Sequence, residues 1–142
     1  MERSRMPHVA IDYSSRPAGV LDADALAREL HPLVVEESGS TGVCKTLFRP
    51  VETYVGDPTA QETVFVHVEV GLMPGRSEAR KARLSERILA LLAGHLPGDG
   101  AAGAVFSVEV RDLSASYRLG AVPARSGGDT AALCRPGAPA PA

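Results

Sequence analysis

The sequence predicts an α+β domain: two consecutive β-α-β units that build a four-stranded mixed sheet with two helices on one face. Three observations predict it. Val64, Val66, Val68 and Val70 alternate with Phe65, His67 and Glu69, the period of two that marks a strand. Leu26, Leu30, Leu33 and Val34 recur at helical spacing, and Leu84, Ile88, Leu91 and Leu92 repeat the same spacing further on. Strand-like segments flank each helix, so the order β-α-β appears twice. A helical crossover between parallel strands is right-handed, which puts both helices on one side of the sheet. The repeat suggests an internal duplication, although any amphipathic helix can show that spacing.

The first strand is expected over Pro7 to Tyr13, followed by a Pro/Gly turn from Arg16 to Gly19. Asp22 is a good N-cap for helix one. Pro32 falls inside the apolar pattern, where it should kink or break the helix. Ser38-Gly39-Ser40-Thr41-Gly42 ends it. A strand from Val43 to Val55 comes next, irregular around Pro50, and Gly56-Asp57-Pro58 marks a turn. The Val64–Val70 strand leads through Pro74-Gly75-Arg76 to Ser77, which can cap a helix running to about Ala93. The last strand spans Val105 to Leu113, with Phe106, Val108 and Val110 on one face.

A chain of 142 residues is one domain with room for a core. The expected division is a leader over 1–6, a folded domain over 7–120, and a Gly/Pro/Ala-rich disordered tail over 121–142. A net charge of −2 gives no electrostatic reason to expect nucleic acid or a membrane surface as partner. The absence of Trp argues against a base-stacking platform. Cys44 and Cys134 cannot form a disulfide framework, and the start Met-Glu-Arg-Ser-Arg lacks the apolar run of a signal peptide, so a cytoplasmic setting is expected. No Cys/His cluster has metal-ligand spacing, no Gly-rich loop resembles a phosphate cradle, and no nucleophile elbow appears. Val and Phe flank the Val64–Val70 strand on both sides, so the sheet's second face is expected to be apolar and covered by other subunits.

Met6-Pro7 is the chemically informative pair. Methionine before a small residue is readily trimmed at a translation start, so a chain initiated at Met6 would begin with Pro7 and carry a free secondary amine. Such an amine has an unperturbed pKa of roughly 7.7–8.0. Burial or a nearby cation lowers it, giving a proton acceptor at neutral pH. In a chain that begins at Met1 the same nitrogen is an amide without basicity. The codons for Met1-Glu2 contain GGA followed by a purine, similar to a bacterial ribosome-binding core, which favours a start at Met6.

Pro7-His8 with Asp12 and Ser14, His31-Pro32, Val51-Glu52-Thr53-Tyr54, Phe65-Val66-His67-Val68 and Gly75-Arg76-Ser77 together resemble the 5-carboxymethyl-2-hydroxymuconate Δ-isomerase family of the tautomerase superfamily. The resemblance runs from Pro7 to about Leu119 and lies in the order and spacing of the motifs. It implies a tautomerase-like fold of two fused β-α-β units, a homotrimer, and neither metal nor cofactor. It also implies isomerisation of an unsaturated, dienol-type carboxylated acid in bacterial degradation of an aromatic compound. Pro7 matches the family's proline, which takes a proton and returns it at a distant carbon. Arg76 matches the arginine that engages the substrate carboxylate. A cation just before a helix start is disfavoured by the helix dipole, which is an independent reason to expect an anion between Arg76 and the helix.

The chain departs from the pattern on its second strand, where Lys45 stands in place of an arginine. Lysine keeps the charge and loses the bidentate fork. Arg49, on the same nominal face, can supply the guanidinium instead. Other candidates carry less: His67 reads as a structural strand histidine, His8 as either a site-shaping or an exposed residue, and Tyr117-Arg118 as a segment able to close over a neighbouring subunit's site. Arg80, Lys81 and Arg83 read as a solvated helix face. The expected function is a cofactor-independent isomerase with Pro7 as base and Arg76, with Lys45 or Arg49, as carboxylate holder. The rival is a non-catalytic α+β module that binds a small acid or a protein.

Overall fold

The computed structural model describes residues 6–15, 19–40, 44–54, 63–96, 103–120 and 122–123. Of the expected leader over 1–6, residues 1–5 lie outside the described residues, as do 121 and 124–142 of the expected tail, Cys134 included. The elements are β1 (His8–Ser14), α1 (Ala23–Ser38), β2 (Lys45–Val51), β3 (Val64–Leu72), α2 (Glu78–His95) and β4 (Ala104–Asp112). The sheet order is β2-β1-β3-β4. β1 is parallel to β2, β3 is parallel to β4, and the two units meet through the antiparallel pair β1–β3. This is the mixed four-stranded sheet that the twofold β-α-β order predicts.

Both helices start as their caps dictate. Asp22 Oδ1 accepts the Ala25 N–H at 3.1 Å, and Ser77 Oγ accepts the Arg80 N–H at 3.1 Å. Leu26, Leu30 and Val34 of α1 and Leu84, Ile88 and Leu92 of α2 are buried against Val9, Ile11, Val66, Val68 and Val70 of the central strands. All these strand residues share one face, so both helices lie on it. α1 closes at Gly39, whose φ of 70° suits a residue without a Cβ.

Two expectations about proline change. α1 runs unbroken through Pro32. Pro32 is exposed, and the carbonyl it leaves without a donor belongs to exposed Arg28, where water can serve it. The second strand is shorter than expected, Lys45–Val51, with Val43 and Val55 outside the described residues. It accommodates Pro50 because β2 is an edge strand. Lys45 donates its N–H to Pro7 O at 3.0 Å and Val51 O accepts from Ser15, so the odd positions bond to β1 and Pro50 faces the free edge.

The basic residues of α2 divide: Arg80 and Arg83 are exposed, as expected, and Lys81 is buried. Arg83 Nε and Arg87 Nη1 both bond Glu37 Oε2, and Arg80 Nε donates to the Glu37 carbonyl at 2.8 Å. These arginines hold the end of α1 against α2. Lys81 is buried, with Nζ 3.2 Å from Asp112 Oδ1 and 2.7 Å from Glu78 Oε2.

The second face of the sheet is also more polar than expected. The valines of β3 all point to the helices, leaving Phe65, His67, Glu69 and Gly71 on the open side. There Arg49 pairs with Asp12, His67 with Ser107 and Arg111 with Glu69. Apolar exposure on this face is confined to scattered residues such as Leu47 and Val105.

Candidate active site

The N-terminal ends of β1 and β2 and the C-terminal ends of β3 and β4 come together at one end of the sheet, because the two parallel pairs run in opposite directions. Pro7 stands at that end, immediately before β1, and its side chain is fully buried. The carbonyl of Pro7 receives the Lys45 N–H, which fixes the start of β2 beside it. In register, Lys45 pairs with His8, His8 with Gly71, and Gly71 with Arg111. One row of the open face therefore reads Lys45, His8, Gly71, Arg111 across all four strands. Two cations flank a histidine beside Pro7.

His8 binds a proton less readily than an ordinary histidine. Burial, then the Lys45 charge, lowers its pKa below the ordinary 6.5; Glu69 opposes this, and Arg49 and Arg111 add to it. Its Nδ1 is buried and has no hydrogen-bond partner among the described residues.

Arg76 lies at the same end of the fold, in the connection from β3 to α2. Its Nε donates to the Ser38 carbonyl at 2.6 Å, Nη1 to Met73 O at 2.9 Å, and Nη2 to Ser40 Oγ at 3.4 Å. α1 has no basic residue in its last turn, so Arg76 supplies the cation that this helix C-terminus favours. The C-terminal end of α1 thus gives a structural reason for a cation just ahead of α2.

Arg49 is set apart. It shares the open face with Lys45 but lies four residues further along β2, roughly 13 Å away at strand rise. Its Nε and Nη2 grip Asp12 Oδ1 and Oδ2 at 2.7 and 3.1 Å. The structure therefore brings Pro7, Lys45 and Arg76 to one end of the sheet and leaves Arg49 on a different row.

The remaining histidines serve the fold. His67 Nδ1 is 2.7 Å from Ser107 Oγ, the structural role the sequence suggests for it. His31 reaches from α1 to Thr46 on β2, Nε2 to Oγ1 2.5 Å, and burial lowers its pKa. Arg118 turns back onto the carbonyls of Ala115 and Tyr117. Arg111 escaped the sequence reading. Its signal is a position opposite Gly71 on the open face, visible only once the β3–β4 register is known. Among the described residues, no three His, Cys, Asp or Glu side chains are grouped to hold a metal ion. No helix among them is long and apolar enough to cross a membrane.

This sheet order with two helices on one face is the fold of the tautomerase superfamily. A 5-carboxymethyl-2-hydroxymuconate isomerase from Deinococcus radiodurans R1 superposes with a TM-score of 0.70 at 20% identity, covering 82% of this chain and 90% of that one. A second 5-carboxymethyl-2-hydroxymuconate Δ-isomerase gives 0.65 at 22% identity, covering 84% and 90%. A fused 4-OT protein, a symmetric trimer, gives 0.53 at 12% identity, covering 88% and 98%. No curated protein is significantly similar in sequence. The family model of 5-carboxymethyl-2-hydroxymuconate isomerase matches residues 7–125, and the chain belongs to that family.

Proposed function

We propose that this chain is a cofactor-independent isomerase that moves a proton within an unsaturated, dienol-type carboxylated acid, of the 5-carboxymethyl-2-hydroxymuconate kind, with Pro7 as base and then acid. The observation that carries this reading is the position of Pro7. It is the first residue of the family match, it is buried at the head of β1, and its carbonyl receives the main-chain N–H of Lys45. Freed by loss of Met6, its amine would have a lowered pKa in such surroundings and would be a base near neutral pH. It takes the proton at one end of the conjugated system, and the resulting ammonium returns it at the other. Lys45 and Arg76 hold the carboxylates and oppose the charge of the enolate-like intermediate. Arg49 is left to its pair with Asp12.

A cytoplasmic homotrimer is part of the proposal. Among the described residues both outer strands, β2 and β4, have a neighbouring strand on one side only, and Leu47 and Val105 are exposed on the open face. Association of subunits covers such edges.

The test is a protein started at Met6 whose intact mass and N-terminal sequence show Pro7 first. It should accelerate ketonisation of 2-hydroxymuconate, followed by ultraviolet absorbance. Pro7→Ala should fold normally and lose at least about a hundredfold in rate, the usual weight of a general base. Unchanged turnover by that variant rules the mechanism out.

A second reading has one observation in its favour. Arg76 is committed to main-chain carbonyls, as a structural arginine would be. A module that binds small acids without turning them over would bind 2-hydroxymuconate and show no rate above background with Pro7 free.

A further inference from the structure

Two hydroxyls are buried where α1 ends. Ser38 is 3% exposed and Ser40 7%. Gly39 between them, at φ 70° and ψ 19°, turns the chain so that Ser40 comes back onto Ser38. The Ser40 N–H donates to Ser38 Oγ at 3.3 Å, and the two hydroxyl oxygens lie 2.9 Å apart. Each hydroxyl has one proton to give and two lone pairs to fill, and inside the fold an unused one is costly. A guanidinium only donates, so Ser40 Oγ accepts from Arg76 Nη2, 3.4 Å away. The Ser38 hydroxyl donates into the other lone pair at 2.9 Å, in preference to the Val35 carbonyl at 3.4 Å. Ser40 Oγ has then accepted twice, and its own proton has no acceptor among the described residues. A donor left over in the fold beside a guanidinium is matched by an anionic oxygen.

Both groups stand on the side of the sheet that Pro7 faces. Pro7 precedes Val9 and Ile11 by two and four residues, so its ring points with theirs toward the helices. Arg76 and Ser40 join the end of α1 to the start of α2, at the end of the sheet where Pro7 stands.

We propose that Ser40 is a substrate-binding residue, whose hydroxyl donates to the carboxylate that Arg76 attracts. The inference rests on Arg76 as a carboxylate holder in the function proposed above, and deepens it by naming a second donor to the same group. Arg76 brings the charge. Ser40 brings a neutral donor held by its own N–H and by Ser38, on a side chain far shorter than the arginine's. A carboxylate has two oxygens to share between them.

The experiment uses the protein that begins at Pro7. It measures KM and kcat for 2-hydroxymuconate, the Kd of muconate (the same diacid without the enol hydroxyl) by calorimetry, and unfolding in urea. Ser40→Ala should raise KM and Kd together by about tenfold, the weight of a hydrogen bond to a charged group, with kcat held within a factor of about two. Ser40→Thr, which keeps a hydroxyl, should bring both back to within about threefold of the parent. Ser40→Cys is close in size and a much weaker donor, so it should lose affinity as alanine does, and it decides the matter if Ser40→Ala does not fold. A fall in stability with KM and Kd unmoved would make the serine pair purely structural and overturn the proposal. Parent affinity in Ser40→Cys would overturn it too.

The isomerase reading and this one fail separately. A parent that binds muconate through Ser40 but turns over no 2-hydroxymuconate sinks the isomerase and leaves Ser40 as a carboxylate donor. A parent that neither binds the one nor turns over the other overturns both.

Discussion

Arg76 Nε lies 2.6 Å from the main-chain oxygen of Ser38, so the loop after β3 is tied to the C-terminal end of α1. The Arg76 side chain is half-buried, and Ser38 and Ser40 are buried beside it. An arginine that holds this junction has a structural effect as well as any effect on a substrate carboxylate. Arg76→Ala leaves the Ser38 carbonyl without this donor and should lower stability by ~1–3 kcal/mol, read by urea unfolding. If Arg76 also binds the substrate alike in ground and transition states, KM rises with kcat held; if it acts on the intermediate, kcat falls. Arg76→Lys separates the two roles. It keeps a charge but cannot reach three acceptors in one plane, so stability should fall even where KM is partly restored. Full stability in Arg76→Ala would count against the junction.

Arg49 gives the opposite expectation. Its forked contact with Asp12 sits on the open face two rows from Lys45 and half in solvent. Exposed pairs of this kind contribute little to stability and are screened by salt. Arg49→Gln should leave kcat/KM for 2-hydroxymuconate within a factor of about two of the parent and barely move the melting temperature. A large loss of kcat/KM would return Arg49 to the substrate site.

The difference between these arginines shows what the sequence could reveal. Helix faces, caps and strand order follow from periods and from Asp22 and Ser77, and all of these are local. The Val64–Val70 strand was legible because its valines alternate. What its other face would carry was not: the Val and Phe around the strand made that face look apolar, whereas Glu69 and His67 find partners on β4. Lys45 beside Pro7 follows from a parallel pairing whose register no local signal records. Arg80 and Arg83 are exposed, as helix charges usually are, but Lys81 is buried. Their partners, Glu37 and Asp112, come from elements distant in sequence. The prolines misled for a related reason: Pro32 faces solvent and Pro50 faces a free edge, so neither disrupts what a buried proline would.

Gly71 is a position where one methyl group has a defined consequence. Its added Cβ would overlap Leu113 Cδ2 at 2.5 Å, but that atom ends a flexible side chain, so Leu113 can swing away. Gly71→Ala should fold and lose about 1 kcal/mol, at the low end for overpacking. Leu113→Ala made together with Gly71→Ala should recover part of that loss, because the overlapping atoms are gone. Urea unfolding of the two single variants and the double variant measures the coupling. Strictly additive effects would mean that Leu113 does not occupy the space above Gly71.

Two histidines, His8 on the open face of the sheet and His31 on α1 against β2, make stability depend on pH with a definite sign. His8 and His31 both have pKa values lowered in the folded state, His8 by burial and then Lys45, His31 by burial. Each binds its proton more weakly when folded than when unfolded. Above the ordinary value of 6.5 both states are neutral and no stability is lost. As pH falls below 6.5 the unfolded chain gains protons first, so stability drops until pH reaches the folded values. Glu37 acts in a separate, lower window. Its pKa is lowered from 4.5 mainly by the hydrogen bond from Arg87, so its contribution is present above 4.5 and is lost as pH falls through the folded value. Melting temperatures measured downward from pH 8 should therefore stay level, then fall once below 6.5, and fall again on the carboxylate limb. Replacing His8 and His31 together by Gln should flatten the first limb and leave the second, whereas Glu37→Gln should do the reverse. A first limb that persists without either histidine would assign the acid sensitivity to other groups.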